Sequence, residues 1–237
     1  MTENVTDRIG AALACREAGQ GTPFVFLHGN GEDGSYFSHQ IEHFSHRYHV
    51  YAPDTRGHGQ SPRGTAPFTI AQFAEDLLAF YDAHEIARAI VLGFSDGANI
   101  AMQFVLRHPE RVLGLILDGG NLDPRGVKRR TQLPIELGYR LAGLKAERSE
   151  QARRKRELLA LMVEEPHLRP EALRAIRVPT LVLAGTHDMI RLDHTRLIAH
   201  NIPGAVLRTI PGSHFVAHEH PEAFDRAVDD FLRESGL

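Results

Sequence analysis

The sequence predicts an α/β fold with a mostly parallel central sheet flanked by helices. Short apolar runs rich in β-branched residues alternate with amphipathic stretches, which is the pattern of buried parallel strands joined by crossover helices. A chain of 237 residues with 42% hydrophobic composition can also bury one sizeable core. We therefore expect one domain spanning residues 1–237.

The apolar runs predict six strands, preceded by one or two edge strands before Ala18. Cys15 lies in this strand-like region and is interpreted as a core residue; as the sole cysteine, it cannot form an intrachain disulfide. The predicted strands are 24–27, 50–53, 89–92, 113–117, 180–184 and 206–210. The predicted helices are 35–46, 70–84, 97–108, 193–201 and 221–234.

Residues 121–174 interrupt the alternation of strands and helices. They contain no strand-like run, but they carry leucines at helical spacing and two basic clusters, at 128–130 and 153–156. We interpret this segment as a small inserted helical cap and the basic clusters as solvated helix faces. As the roof of a site, the cap would contact substrate through Leu158, Leu161 and Met162.

Charge and hydropathy limit the classes of binding partner that we expect. A formal net charge of -3 and a pI near 6.6 give no global field that would attract nucleic acid or anionic lipid. The N-terminus lacks the pattern of a secretory signal, and no apolar run approaches the roughly 20 residues of a membrane span. We expect a cytoplasmic protein with a small-molecule partner, without nucleic acid or membrane; the oligomeric state is left open.

The strongest local signal is a Gly-x-Ser-x-Gly pentapeptide centred on Ser95. It follows the apolar run 89–92 and precedes a helix-compatible stretch. A tight turn from strand to helix forces such a serine into a strained conformation and projects its hydroxyl at the carboxyl end of the strand. The helix N-terminus then stabilises negative charge that develops nearby. Ser95 is therefore the predicted nucleophile.

A serine hydroxyl needs a base to become nucleophilic, and the C-terminal third of the chain supplies candidates. His214 lies just beyond the last predicted strand, where a loop would carry it to the edge of the sheet that holds Ser95. His218 and His220 are competitors, but they lie in or near the start of the last helix. His214 is the predicted base.

The base in turn needs an orienting acid. Asp188 follows the predicted strand 180–184, and the order serine, aspartate, histidine is the one expected on such a sheet. Asp118 also ends a strand and is the alternative acid; its other interpretation is a loop cap or a pocket-lining carboxylate.

Acyl transfer also requires donors aimed at the tetrahedral oxyanion. One candidate is the backbone N–H of Asp96, which follows the nucleophile. The other is in the first strand-to-helix loop, where glycine on each side of Asn30 lets the backbone turn an N–H inward; we favour Asn30 over Gly31. His28 is expected to brace this loop by hydrogen bonding.

With these residues assembled, the chain resembles the α/β-hydrolase superfamily over nearly its whole length. Residues 28–30 resemble its oxyanion loop, residues 54–61 resemble its Asp-x-Arg-Gly-His-Gly-x-Ser turn, and Ser95, Asp188 and His214 align in order with its triad. The resemblance implies that the 54–61 turn is architectural. Haloalkane dehalogenases and epoxide hydrolases of the superfamily carry aspartate at the position of Ser95, so their chemistry is disfavoured.

Asp96 distinguishes the chain from many relatives. The Ser-Asp-Gly sequence resembles a subgroup with biphenyl-hydrolase-like enzymes that accept amino-acid esters, which implies that the Asp96 carboxylate could pair with a substrate ammonium group. The alternative is that Asp96 caps its own helix or bonds a neighbouring backbone.

These observations predict a serine hydrolase of small to medium carboxylic esters that works through an acyl-enzyme. Carbon–carbon bond hydrolysis, perhydrolysis and a ligand receptor that retains the triad are the alternatives. No cofactor is expected, since the glycine-rich stretches at 29–31 and 119–120 match no nucleotide-binding fingerprint. No metal is expected either, because the run of His39, His43, His46 and His49 is better explained as a surface helix.

Overall fold

The structure is a computed structural model that describes residues 12–237. A seven-stranded sheet with the order β1-β3-β2-β4-β5-β6-β7 crosses its centre. Strand β1 pairs antiparallel with β3, and every other neighbouring pair in this sheet is parallel. The strands are β1 (Cys15–Ala18), β2 (Thr22–Leu27), β3 (Tyr48–Pro53), β4 (Ala89–Phe94), β5 (Val112–Asp118), β6 (Thr180–Gly185) and β7 (Val206–Ile210).

Helices cover both faces of the sheet. Among the residues described, no helix is long and apolar enough to cross a bilayer. The helices are α1 (Ser38–Phe44), α2 (Ile70–Ala83), α3 (Asp96–Arg107), α4 (Arg129–Lys145), α5 (Glu150–Val163), α6 (Leu192–Asn201), α7 (Val216–Glu219) and α8 (Pro221–Ser235). Short 3-10 turns occur at Gly34–Phe37, Pro109–Arg111, Pro124–Gly126 and Pro170–Ala175.

The predicted α/β-hydrolase fold is confirmed, and each of the six predicted strands is present within two residues of its predicted ends. One edge strand, Cys15–Ala18, lies in the described residues; any strand before residue 12 falls outside them. Cys15 is partly buried and packs against the core. The first predicted helix is shorter than expected, because its start is a 3-10 turn capped by Asp33, whose carboxylate accepts from Ser35 N at 2.7 Å. The short helix α7 was not predicted.

Two apolar clusters form the core, one on each face of the sheet. Alternate residues of β2 divide between them, with Val25 and Leu27 on one face and Phe24 and Phe26 on the other. Strand β4 is buried over its whole length, which is typical of a central parallel strand. The strand order reverses between β2 and β4, so the loops that follow these two strands meet at the carboxyl edge of the sheet, where such folds bind ligands.

Residues 121–174, called the cap segment below, connect β5 to β6. They contain α4 and α5, which pack against each other, and the 3-10 turns at 124–126 and 170–175. Val127 forms an isolated antiparallel bridge with Ile190, which ties the start of the segment to the loop after β6.

Candidate active site

The turn between β4 and α3 is sterically tight. A side chain at Gly93 would place its Cβ 2.3 Å from Gly97 O, and one at Gly97 would place its Cβ 1.9 Å from Leu27 O. Strand β4, helix α3 and the neighbouring strand β2 can therefore approach this closely only with glycine at both positions. This contact is the physical reason for the two glycines of the pentapeptide.

Ser95 lies at the apex of this turn. Its φ of 53° and ψ of -118° are unfavourable for a residue with a side chain, and the strain is held by neighbouring structure. The Ser95 N–H donates to Asp118 O at 2.8 Å, which ties the turn to β5. Asp96, Gly97 and Ala98 begin helix α3, whose first N–H groups include donors without intrahelical acceptors. The turn thus presents a hydroxyl beside free N–H groups.

A continuous hydrogen-bonded chain joins Ser95 to a carboxylate. His214 Nε2 lies 3.0 Å from Ser95 Oγ, and His214 Nδ1 lies 2.7 Å from Asp188 Oδ1. His214 and Asp188 are 3% and 2% exposed, so water has little access to the bond between them. Of the two competing histidines, His218 lies in α7 with its ring near Tyr36, and His220 directly precedes α8. The structure thus brings together the three residues expected to form the triad.

Asp188 is fixed by several contacts. Its Oδ1 also accepts from Ile190 N at 2.8 Å, and its backbone carbonyl accepts from Lys128 Nζ at the start of the cap segment. Opposite it, a side chain at Gly119 would place its Cβ 2.6 Å from His214 Cε1, so the imidazole lies directly on the backbone after β5. Gly119 was not recognised in the sequence as part of the site.

Asp118, the alternative acid, lies behind the triad. It is fully buried, and within the described residues neither of its carboxylate oxygens has a hydrogen-bond partner. Burial, and then the nearby Asp188 carboxylate, raise the pKa of Asp118 well above its usual range. The Oδ2 atom of Asp188 is likewise buried and unpartnered in this part of the chain. Burial therefore favours the neutral form of the Asp118 carboxyl, and the carboxylate that bonds His214 is that of Asp188.

The loop after β2 is braced by His28. Its Nε2 accepts from Thr55 N at 2.9 Å, so the ring proton lies on Nδ1, which donates to Gly29 O at 2.8 Å. Burial lowers the pKa of His28 to about 4, which keeps the ring neutral. These bonds fix the loop that carries Asn30, as the sequence predicted for His28.

Asn30 connects the elbow to the cap segment. Its Nδ2 donates to Asp96 Oδ2 at 2.9 Å and to Leu158 O of α5 at 2.8 Å. The Asp96 carboxylate is 7% exposed, and its other oxygen lies 3.5 Å from Asn99 Nδ2. Burial raises the pKa of Asp96, and the bonds from the two amides lower it. The partners of the Asp96 side chain are thus the side-chain amides of Asn30 and Asn99, not the helix or backbone N–H groups that the alternative to an amine-binding role anticipated.

Glu32 is a further carboxylate in this region that sequence reasoning missed. Its Oε2 accepts from Gly29 N at 3.1 Å, which closes the loop around Asn30. Burial raises the pKa of Glu32 to about 7, although the Gly29 N–H and the nearby His214 both lower it. A glutamate that directly follows a Gly-Asn-Gly sequence is the only signal that could have identified it.

The turn at 54–61 holds the loops together. Asp54 accepts from Gly34 N and from Gln60 N, each at 2.8 Å, and Ser61 Oγ donates to Asp54 O at 2.7 Å. The fully buried Arg56 forms two bonds, of 2.6 and 2.7 Å, to the carboxylate of Asp76 on α2. These contacts support the architectural role implied for this turn.

The three predicted cap residues differ in their surroundings. Leu158 and Met162 on α5 are half-buried, whereas Leu161 is 1% exposed and belongs to the main core cluster. Leu158 comes nearest to the elbow, through its carbonyl bond to Asn30. The side chain of Leu161 therefore anchors α5 to the core and is not a substrate contact, which corrects the expectation for this residue.

The histidines of the first helix region pair with carboxylates. His39 lies 3.0 Å from Asp225, and His43 lies 2.8 Å from Asp229, both on α8. Within residues 12–237, no three histidine, cysteine, aspartate or glutamate side chains are arranged to hold a metal ion.

The sheet order, the strained serine and its hydrogen-bonded histidine are the features of an α/β hydrolase. The family model for the alpha/beta hydrolase fold matches residues 22–163, and the chain belongs to that family. Among its relatives is the putative carbamate hydrolase RutD of Caulobacter sp. (strain K31), 31% identical over 86% of this chain and 88% of that protein.

Two solved structures are similarly close. One is the enol-lactonase of Burkholderia xenovorans LB400, which is 27% identical with a TM-score of 0.79 over 93% of this chain and 96% of that chain. The other is Est816, described as an N-acyl homoserine lactone degrading enzyme, which is 29% identical with a TM-score of 0.77 over 92% and 96%. The named activities of these relatives are hydrolytic, which supports a hydrolase.

Proposed function

We propose that the protein is a serine hydrolase that cleaves small to medium carboxylic esters through an acyl-enzyme intermediate. The observation that carries this proposal is the chain of hydrogen bonds from Ser95 Oγ through His214 to Asp188, with distances of 3.0 and 2.7 Å. A serine at the strained apex of a strand-to-helix turn has no structural need for a buried histidine 3.0 Å away. Nucleophilic catalysis explains both features together.

In the proposed reaction, Ser95 Oγ attacks the ester carbonyl carbon while His214 Nε2 takes the hydroxyl proton. Asp188 holds the imidazole in the tautomer that leaves Nε2 free to accept, and it stabilises the imidazolium that forms. The tetrahedral intermediate expels the alcohol, which leaves with the proton from His214. Water then attacks the acyl-enzyme by the same route and releases the acid.

Two backbone donors are proposed for the oxyanion. The N–H of Asp96 lies at the start of α3, where the helix dipole also favours negative charge. The N–H of Asn30 lies in the loop braced by His28 and Glu32. Because these contacts fix the loop before substrate arrives, the donors need no reorganisation during the reaction.

The preference for small to medium substrates follows from the cap segment. The bond between Asn30 Nδ2 and Leu158 O holds α5 against the elbow. A long acyl chain would have to displace this contact, whereas a compact ester or lactone would not. Since a lactone is a cyclic ester, the lactone-acting relatives also place compact cyclic esters among the substrates to be tested.

The test is kcat/KM on p-nitrophenyl esters from acetate to decanoate, together with simple lactones. We expect turnover that is highest for the shorter acyl chains and a loss of at least about 10⁴-fold in Ser95→Ala. Ser38→Ala, which removes an exposed hydroxyl on α1, is the matched control and should keep full activity. Equal activity of Ser95→Ala and wild type would refute the proposal.

Labelling and turnover experiments on the same protein distinguish the alternative functions. A fluorophosphonate that labels Ser95 without sustained ester turnover would indicate a receptor that retains the triad. Turnover of a vinylogous diketone without ester turnover would indicate a carbon–carbon bond hydrolase.

The role of Asp96 can be tested by comparing α-amino esters with other esters of equal size. Its carboxylate already accepts from Asn30 Nδ2 and is 7% exposed, so an ammonium group would have to compete with that amide. We expect Asp96→Asn to change kcat/KM for amino and non-amino esters of equal size by the same factor. A selective loss on the amino esters would instead assign Asp96 to ammonium recognition.

A further inference from the structure

The outer face of the cap segment carries an exposed row of leucines. Leu133, Leu137, Leu141 and Leu144 are spaced by four, four and three residues along α4, which places them on one side of the helix. They are 47%, 58%, 52% and 81% exposed, whereas most other leucines of the described chain are buried or half-buried. A row of exposed leucines on one helix face is typical of a surface that contacts another apolar phase.

Basic residues share this side of the helix. Arg130 and Arg140 lie in the same angular sector as the leucines, and Arg129 and Lys145 flank it. We call this surface, formed by the four leucines with Arg129, Arg130, Arg140 and Lys145, the cap face. Exposed basic residues continue onto α5 at 153–156. The cap face is therefore a basic amphipathic helix surface.

Positive and negative charges are distributed unevenly along the chain. Residues 128–157 contain ten lysines and arginines against four glutamates, a formal charge of +6, whereas the whole chain carries -3. The remaining residues therefore carry -9. The net charge of the whole chain predicts no attraction to anionic lipid. The uneven distribution of charge, however, would turn residues 128–157 toward a negatively charged surface and the rest of the chain away from it.

A groove lies beside the N-terminal half of α4. It has a volume of about 520 Å³, and its lining includes the apolar Val127 and Leu133 together with Lys128, Arg129 and Arg191. Arg191 also pairs with Asp193, and Glu136 lines the groove as well. A cationic groove that reaches the leucine row combines the two contacts an anionic lipid requires, with charge for the head group and apolar surface for the chains.

We propose that the cap face docks the protein onto membrane surfaces that contain anionic lipid. The leucines would enter the boundary between head groups and acyl chains, and the arginines and Lys145 would contact lipid phosphates. A second copy of the chain fits the face less well, because both copies would bring the same set of basic residues, Arg130, Arg140 and Lys145, into one interface, where like charges repel. This inference does not depend on the reaction proposed for Ser95.

The test is co-sedimentation of the full chain with vesicles. Phosphatidylcholine vesicles with about 30% phosphatidylglycerol should bind the protein, phosphatidylcholine alone should not, and high salt should weaken the binding. The double variant Leu137→Asp/Leu144→Asp should lower the partition coefficient by about tenfold or more. Leu197→Asp on α6, where a leucine is 39% exposed outside the cap face, is the matched control and should bind within about twofold of wild type.

A second variant separates charge from apolar contact. Arg130→Gln/Arg140→Gln should weaken binding by about tenfold at low salt and lose its difference from wild type at high salt. Circular dichroism and thermal unfolding would verify that each variant is folded. Binding that depends on the arginines but not on the leucines would indicate electrostatic adsorption to the vesicle surface without entry of the leucine row, and would overturn the proposal. Absence of vesicle binding with a dimer that the leucine variant dissociates would assign the face to a second copy and also overturn it.

Discussion

The nucleophile elbow and the cap segment differ in what fixes their residues. At the elbow, contacts as close as 1.9 Å to an added Cβ leave room for glycine alone, and the pair formed by Arg56 and Asp76 nearby is buried with two hydrogen bonds. On the cap segment, leucines are exposed and ion pairs such as Arg154 with Glu150 are more than 70% exposed at both partners. The proposed chemistry, which needs fixed geometry, lies in the first region, and the proposed membrane-docking surface lies in the second.

The largest expected effect concerns the acid of the triad. Asp188→Asn should lower kcat/KM on the preferred ester by about 10⁴-fold, because an amide that donates to His214 Nδ1 would favour the wrong imidazole tautomer. Steady-state kinetics on purified protein measures this. The matched variant is Asp118→Asn, which changes the adjacent buried carboxyl without touching the bond to His214.

Asp118→Asn should keep activity within about tenfold of wild type, because burial raises the pKa of Asp118 and so favours a neutral carboxyl, to which an amide is close in shape and charge. The reverse pattern, a large loss at Asp118 and a small one at Asp188, would assign the acid to the end of β5. It would also contradict the preference of the buried Asp118 carboxyl for its neutral form.

The next largest effect is expected on the free energy of unfolding. It tests the elbow and the adjoining turn at 54–61, which together are called the rigid region below. Asp76→Ala removes the carboxylate that binds Arg56 and should lower the free energy of unfolding by about 3–5 kcal/mol, because the buried guanidinium loses the negative charge that balances it. Urea denaturation followed by circular dichroism measures the change. A loss below about 1 kcal/mol would mean that water reaches Arg56 and that the turn at 54–61 is less rigid than its contacts indicate.

The residues of the rigid region were largely predictable from the sequence. Ser95 is bracketed by glycines between a strand and a helix, and Asp188 and His214 each follow a predicted strand, so a parallel sheet brings all three to one edge. Local patterns indicated these positions because the backbone itself dictates them. The start of β2, the start of β3 and the end of β4 were each missed by two residues, where the apolar runs border polar, proline-containing or glycine-containing sequence.

Contacts between distant segments were not predictable. Glu32 bonds the Gly29 N–H, Gly119 supports the His214 ring, and Asn30 reaches the carbonyl of Leu158, which is 128 residues away in the chain. Such contacts depend on how loops fold over the sheet, which periodicity does not encode. The exposure of the leucines on α4 was not predictable either, because helical spacing identifies a helix face but does not show whether another segment packs on it.

Glu32 offers a smaller and pH-dependent effect. The unfolded carboxyl ionises near pH 4.5, whereas the folded one stays protonated to about pH 7, so the wild type should lose stability as the pH rises through this window. Because Glu32 is partly exposed and screened by solvent, we expect a loss of about 1 kcal/mol. Glu32→Gln keeps an acceptor for the Gly29 N–H and should not show this loss.

Urea denaturation of both proteins at several pH values between about 4.5 and 8 measures the difference. The free energy of unfolding of Glu32→Gln should increase relative to that of the wild type as the pH rises. A difference that is constant over this range would show that the folded and unfolded carboxyls ionise together.

The smallest effect is expected on the cap segment. Arg154→Ala breaks an ion pair with Glu150, one turn apart on α5, whose partners are 71% and 72% exposed. Exposed pairs of this kind contribute about 0.3–0.5 kcal/mol, so the free energy of unfolding should change by less than about 0.5 kcal/mol. Urea denaturation at low and high salt measures it. A loss comparable to that of Asp76→Ala would mean that α5 is held by its charges as tightly as the elbow is held by its core, and the contrast between the two regions would fail.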